Sequence, residues 1–318
     1  MPKKTLVIGG GGIKGFMYLG ALKFLFDDGT LDHIETFAGT SVGGIIASLL
    51  AIGYTPDELY YFSHGFDFEK LKNSENVDAF GLIMGNTLGL HNDERVEETY
   101  KKLIGKKTKP DITLKELYEW NGRKLIVTAT CVNTQSCCYI SHENYPDMTV
   151  YTAIRMTSCI PFLFSPVEYK GLMYVDGGCM DIYPIGIFSE NLDDVIGICS
   201  TQSNSVDKPI AIDDLMSYVI AIMRCLSDTR KEISNFKRCT IEIKSKPIFL
   251  ANFSLEEKDK MNMFASGYVQ TGIQMGAKNH SGKIINEKVK IRKFKKTEEM
   301  HCKRNGKKLK KIKYKMKI

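Results

Sequence analysis

Two glycine-rich turns within the first 45 residues constrain this chain more than any other feature. Each lies between an apolar run of strand length and an apolar run of helical spacing. Thr5–Ile8 runs into Gly9-Gly10-Gly11-Gly12, and residues 14–28 then set Phe16, Leu19, Leu22, Phe24, Leu25 and Phe26 at helical spacings, with Gly29 as a C′ cap. Thr36-Phe37-Ala38 runs into Gly39-Thr40-Ser41-Val42-Gly43-Gly44, and a helix is predicted over 45–52. Strand, tight turn and helix, repeated, begin a β-α-β alternation that buries a parallel sheet between helices.

The alternation continues. Thr55-Pro56 reads as an N-cap with proline at N1, starting a helix to about residue 64. Residues 67–91 read as loop, with Gly81, Gly85 and Gly89 between apolar pairs. Asn92 or Asp93 can cap a helix through Leu103. Strands are predicted at 124–129 and 138–141, and a helix at 150–157, after which Pro161 and Pro166 stop regular structure. A hairpin around Lys170-Gly171 ends at Asp176-Gly177-Gly178. A buried strand at 195–200 and long amphipathic helices at 212–225 and 255–277 complete an α/β fold with a largely parallel sheet.

Composition removes several function classes. The nine cysteines form no C-x-x-C pair, so neither a zinc site nor a disulfide framework is supported. They read as reduced thiols in an intracellular compartment. No apolar run reaches membrane-spanning length. The basic-then-apolar start ends at once in glycines, so it reads as a first strand rather than a secretion signal. A cytoplasmic or peripheral-membrane protein is expected. The net charge of +7 is uneven: residues 283–318 hold 16 Lys/Arg against 3 Asp/Glu, leaving 28 against 34 elsewhere. The body is mildly acidic and carries a basic tail.

Gly10-Gly11-Gly12-Ile13-Lys14-Gly15 fits G-x-G-x-x-G, the dinucleotide fingerprint. That use needs an acid at the end of the second strand, and Glu35 stands at its beginning. A phosphate-binding P-loop fails as well, because Phe16 occupies the position of its lysine. What survives is a cluster of unpaired amides at a helix N-terminus, suited to a phosphate or an oxyanion. Gly39-Thr40-Ser41-Val42-Gly43 fits G-x-S-x-G between strand and helix, where a serine stands exposed at a positive helix end. The bland alternative is a serine N-cap. None of the six histidines occupies an evident strand-end loop, so the base is sought among carboxylates. Asp176, between a strand and two glycines, is the best candidate; a plain D-G turn is the competing reading.

Together these motifs resemble the patatin-like phospholipase family. Its G-G-G-x-[KR]-G motif matches Gly10, Gly11, Gly12, Ile13, Lys14 and Gly15; its G-x-S-x-G matches Gly39, Thr40, Ser41, Val42 and Gly43; its D-G-[GA] matches Asp176, Gly177 and Gly178. Residues 153–166 resemble its A-x-R-A-S-x-x-x-P-x-x-F-x-P segment, with Met156-Thr157 in place of Ala-Ser, a conservative departure. The resemblance implies a three-layer α/β sandwich over residues 5–280, with 283–318 outside it. It implies a Ser41–Asp176 dyad, an oxyanion hole in the glycine loop, and calcium-independent cleavage of fatty acyl esters in phospholipids or related lipids without a cofactor.

Three further expectations concern lipid contact. Lys14 either attracts a phosphate head group or is simply solvated. Leu82, Ile83, Met84, Leu88 and Leu90 form either an acyl-chain lid or ordinary core. The tail, which alternates Lys with Ile, Tyr and Met from Lys311, either docks on anionic membrane or serves as a nuclear, nucleic-acid or merely solvated segment, nucleic acid being disfavoured. The rival functions are an inactive lipid-binding module on the same fold and a nicotinamide or flavin oxidoreductase.

Overall fold

The computed structural model describes residues 2–65, 88–91, 94–202, 212, 215–226, 233–245 and 255–276. The expected lid residues apart from Leu88 and Leu90, and the tail 283–318, lie outside the described residues. Among the described residues ten strands form: β1 (Thr5–Ile8), β2 (Thr36–Thr40), β3 (Gly89–His91), β4 (Lys124–Cys131), β5 (Ser136–Ile140), β6 (Phe162–Phe164), β7 (Val167–Tyr169), β8 (Leu172–Asp176), β9 (Val195–Gln202) and β10 (Thr240–Ser245). The helices are α1 (Gly15–Asp27), α2 (Val42–Ile52), α3 (Pro56–Gly65), α4 (Glu94–Gly105), α5 (Leu114–Asn121), α6 (Val150–Ser158), α7 (Leu215–Leu226) and α8 (Glu257–Gln274).

Eight strands make one sheet in the order β10-β9-β1-β2-β4-β8-β7, with β5 also on β4. The run from β9 to β4 is parallel, as the alternation predicts, and β10 extends it in parallel. The β4 pairings with β5 and β8 are antiparallel, as is the β7–β8 hairpin. Side chains alternate faces along each strand. Leu6 and Ile8 enter one core with Phe37, Val127 and Ile198, whereas Val7 enters the other with Ala38, Ile126 and Cys199.

The first core is the larger, and α1, α2, α6 and α8 contribute to it. Helix α1 is buried over nearly its whole length, which explains why its sequence is apolar all round rather than striped. It crosses α8 at near backbone contact: a methyl on Gly20 would run into the Phe264 carbonyl, and one on Gly267 into that of Met17. The second core is covered by Pro184–Phe188 and Lys237–Cys239, both short 3-10 turns.

Four elements differ from the sequence expectation. Helix α5, not among the predicted elements, begins in a capping box, Thr113 with Glu116, and buries Leu114 and Leu117 on one face. Strand β10 alternates apolar and polar residues yet lies beyond the clear part of the alternation. Strands β3 and β6 pair in a small parallel sheet at 89–91 and 162–164, where loop and a break between prolines were expected. Pairing over so few residues leaves little trace in a sequence. No helix among the described residues is long and apolar enough to cross a membrane.

The α1–α8 crossing yields a direct test. Gly20→Ala must push two backbones apart and should cost about 1–3 kcal/mol of stability. Urea denaturation measures it, and an unchanged midpoint would contradict the packing.

Candidate active site

The nucleophile-type turn is built by steric exclusion. Ser41 sits between β2 and α2 at φ 57°, ψ −128°. A side chain held at positive φ stores about 1–3 kcal/mol, which surrounding structure must hold in place. Glycines let that structure close in: a methyl on Gly43 would run into the carbonyl oxygens of Ile8 and Gly9, and one on Gly39 into the Gly43 backbone. The Ser41 amide donates to Thr157 Oγ1 of α6 at 3.0 Å. The Ser41 hydroxyl makes no capping bond to α2, so the N-cap reading fails and the hydroxyl is left for other use.

Asp176 reaches Ser41 by a route that motif order does not reveal. Strand β2 pairs with β4 up to Thr40↔Thr128, and β8 takes over at Asp176↔Ala129. Strand β5 overlaps both stretches of β4, so it must occupy the opposite edge. Thus β2 and β8 run toward each other along one edge of β4, and their C-terminal ends meet. Strand β8 is antiparallel to β4, so Asp176 is delivered by an antiparallel strand and not by a further unit of the parallel run. Two further bonds anchor the carboxylate's backbone: Asp176 N–H donates to the Cys159 carbonyl at 2.8 Å, and Thr130 Oγ1 donates to the Asp176 carbonyl at 3.1 Å.

The Asp176 side chain is 1% exposed. Oδ1 accepts the Gly178 amide at 2.7 Å, as a D-G turn would have it. Oδ2 is buried with no hydrogen bond among the described residues. Burial raises the carboxyl to about 7, against smaller lowering contributions from the Ser41 hydroxyl and the Gly178 amide. The turn reading is therefore true of one oxygen only. The other is a buried acceptor beside a serine hydroxyl.

Of the six glycine-loop residues, three have amides already engaged. Gly10 donates to Ile182 O at 2.7 Å, Lys14 to Gly11 O at 3.1 Å, and Gly15 back to Gly12 and Ile13. The amides of Gly11, Gly12 and Ile13 make no backbone hydrogen bond among the described residues. Tyr18 OH donates to Gly10 O at 2.8 Å and lies 2.9 Å from Ser200 Oγ, which fastens the loop from below. Nothing in the sequence singles out Tyr18, an ordinary apolar position of a helix. Thr157 lies in the fourth motif, and its Thr-for-Ser exchange keeps the hydroxyl that Ser41 N–H needs.

One cavity of about 280 Å³ joins these groups. Gly10 to Gly15, Ser41, Val42, Asp176 and Gly178 line one part of it. Phe16 and Leu19 of α1, Ile46 and Leu49 of α2, Leu59 of α3 and Leu103 of α4 form apolar walls. Lys14 lines it too and is only 2% exposed, so it is not a solvated lysine. No described histidine lines it: His33 is exposed, and His142 stacks on Tyr118 at 4.0 Å. Glu35 pairs loosely with Lys4 at the far end of β2, which removes the acid a dinucleotide site requires.

Comparison with known proteins agrees with this architecture. "Uncharacterized protein R571" of Acanthamoeba polyphaga mimivirus is 31% identical over 276 residues, covering 83% of this chain and 91% of that protein. "Probable lipid hydrolase 463L" of Invertebrate iridescent virus 6 is 34% identical over 190 residues, 58% of this chain and 62% of that protein. The crystal structure of VipD from Legionella pneumophila shares the fold, with a TM-score of 0.59 at 19% identity over 85% of this chain and 66% of that one. The chain thus spans less than two thirds of the latter two. The family model described as patatin-like phospholipase matches residues 6–189, more than half of the sequence, and the chain belongs to that family.

Proposed function

We propose that this protein is a lipid hydrolase that cleaves fatty acyl esters of phospholipids or related lipids through Ser41 and Asp176. The observation that carries the reading is the shared cavity. It joins a strained serine, a buried carboxylate with one unpaired oxygen and unpaired amides to a long apolar wall. Apolar walls with a few convergent polar groups suit a fatty acyl chain whose ester stops at the serine.

In the proposed reaction, Ser41 Oγ attacks the ester carbonyl carbon and its proton passes to Asp176 Oδ2. The oxyanion accepts hydrogen bonds from the Gly11, Gly12 and Ile13 amides, each such donor contributing about 2.7–4 kcal/mol. The C–O bond to the leaving alcohol breaks, and Asp176 returns the proton to it. Water then gives a proton to Asp176 and attacks the acyl-serine, and the acid is released as Ser41 regains its hydrogen. The raised carboxyl suits this work, since an ordinary aspartate near 3.8 would hold a serine proton poorly at neutral pH. The α2 N-terminus behind Ser41 favours the developing negative charge. No metal takes part in these steps. Residues 5–280 are read as the catalytic domain, and the basic stretch 283–318 as a peripheral contact with anionic membrane.

Three outcomes follow. A fluorophosphonate should label the native protein, and Ser41→Ala should abolish both labelling and at least about 10³-fold of lipid ester hydrolysis. An unlabelled native protein that still binds lipid would favour the inactive module instead.

The pH dependence has two signs. Activity needs ionised Asp176, so kcat/KM should rise with pH and level off above about 7. Stability runs the other way. The folded carboxyl holds its proton up to about 7 while the unfolded one releases it near 3.8, so stability falls as pH rises between the two. Asp176→Asn should therefore lose activity yet melt higher than the native protein at pH 8 and about equally at pH 4, by calorimetry.

Deleting residues 283–318 should weaken binding to anionic liposomes at low salt, with each Lys or Arg contributing about 1 kcal/mol. Unchanged binding on sedimentation would remove the tail from that role.

A further inference from the structure

Both halves of the site hang on one short piece of chain that the reaction above does not use. After the D-G-G turn, the backbone continues through Asp181 and Ile182. The Asp181 carbonyl accepts the hydroxyl of Thr40, the residue before Ser41, at 3.0 Å. The next carbonyl, Ile182, accepts the Gly10 amide at 2.7 Å. The Ile182 side chain fills the space where a Gly10 side chain would stand. Two successive carbonyls thus hold the serine turn and the glycine loop at a fixed separation.

The orientation of that peptide is set by the Asp181 carboxylate. Oδ2 accepts Tyr139 OH of β5 at 2.8 Å, and Oδ1 accepts the Tyr183 amide at 3.0 Å. Tyr139 pairs across with Thr128, the residue of β4 opposite Thr40. The carboxylate is thereby tied to β5, on the edge of β4 opposite the one where Ser41 and Asp176 meet but at the same level of the sheet. Asp181 N–H donates to Gly177 O at 2.9 Å, closing the loop on the D-G-G turn.

We infer that Asp181 is a positioning residue: through Tyr139 and the Tyr183 amide it fixes the 181–182 peptide, and so the distance from the Ser41 nucleophile to its oxyanion donors. The inference rests on the Ser41–Asp176 reading. It requires a hydrogen bond to each of these two partners, Tyr139 and the Tyr183 amide, rather than a charge. An asparagine meets that need by accepting the Tyr183 amide at its oxygen and donating to the Tyr139 oxygen from its nitrogen.

The test compares Asp181→Ala, Asp181→Asn, Tyr139→Phe and Ser41→Ala in one ester-hydrolysis assay, run well below each variant's melting temperature. Misplacing reacting groups lowers the chemical step without changing substrate binding, so Asp181→Ala should lose about 10- to 100-fold in kcat with KM unchanged. Its fluorophosphonate labelling rate should fall in parallel. Asp181→Asn should recover most of that loss, and Tyr139→Phe should lose about threefold or more in kcat. The inference is overturned if Asp181→Ala keeps kcat within about twofold, if Asp181→Asn is as impaired as alanine, or if KM alone changes. Should Asp181→Ala fail to fold, Tyr139→Phe decides: an unchanged kcat overturns the inference. A fully active Ser41→Ala would instead overturn the reading beneath it, whatever the Asp181 variants do.

Discussion

Strand β4 carries two partners end to end on a single edge. Strand β2 rises along it to Thr40, and β8 descends along it to Asp176, so the two chain ends that leave the sheet there are neighbours. The rest of the site depends on this meeting. Backbone hydrogen bonds of a sheet fix positions far more tightly than a pair of loops could. Thr130 and the Cys159 carbonyl then pin the last residue of β8.

Around that point the fold tolerates groups that an ordinary core would reject. Ser41 is held at positive φ, and Asp176 is buried with an oxygen that nothing described bonds. Each is unfavourable locally, and the close packing of Gly39 and Gly43 and the bond to Thr157 keep the strained turn from relaxing. Burial that destabilises the carboxylate also makes it a stronger acceptor of a serine proton. The cost and the chemistry have the same origin.

Much of this was legible beforehand because it is local. The two glycine turns, the serine between strand and helix, and the aspartate before two glycines depend on neighbours within a few residues. The parallel run from β10 to β4 follows from the β-α-β alternation, apart from β10 itself, whose pattern stands outside it. Helix α5 carries local signals as well, the Thr113–Glu116 capping box and the Leu114–Leu117 spacing, but over only eight residues. The β3–β6 pair is not legible locally, because strands of three residues depend on each other across about 70 intervening positions. In the glycine loop, the folded chain shows how the amides of Gly10, Lys14 and Gly15 are spent, on the carbonyls of Ile182, Gly11, Gly12 and Ile13.

By itself, the order of residues determined which turns must be glycine, where apolar surface demands a sheet under helices, and which hydroxyl and carboxylate are candidates for chemistry. Steric exclusion and side-chain periodicity act over a few residues, so they are written directly in the chain. The antiparallel entry of β8, the burial that lifts Asp176, the Thr157 bond behind Ser41 and the engagement of Lys14 in the cavity wall were decided only by tertiary structure. Desolvation and long-range pairing are properties of what surrounds a group once the chain has closed, and no local pattern encodes them.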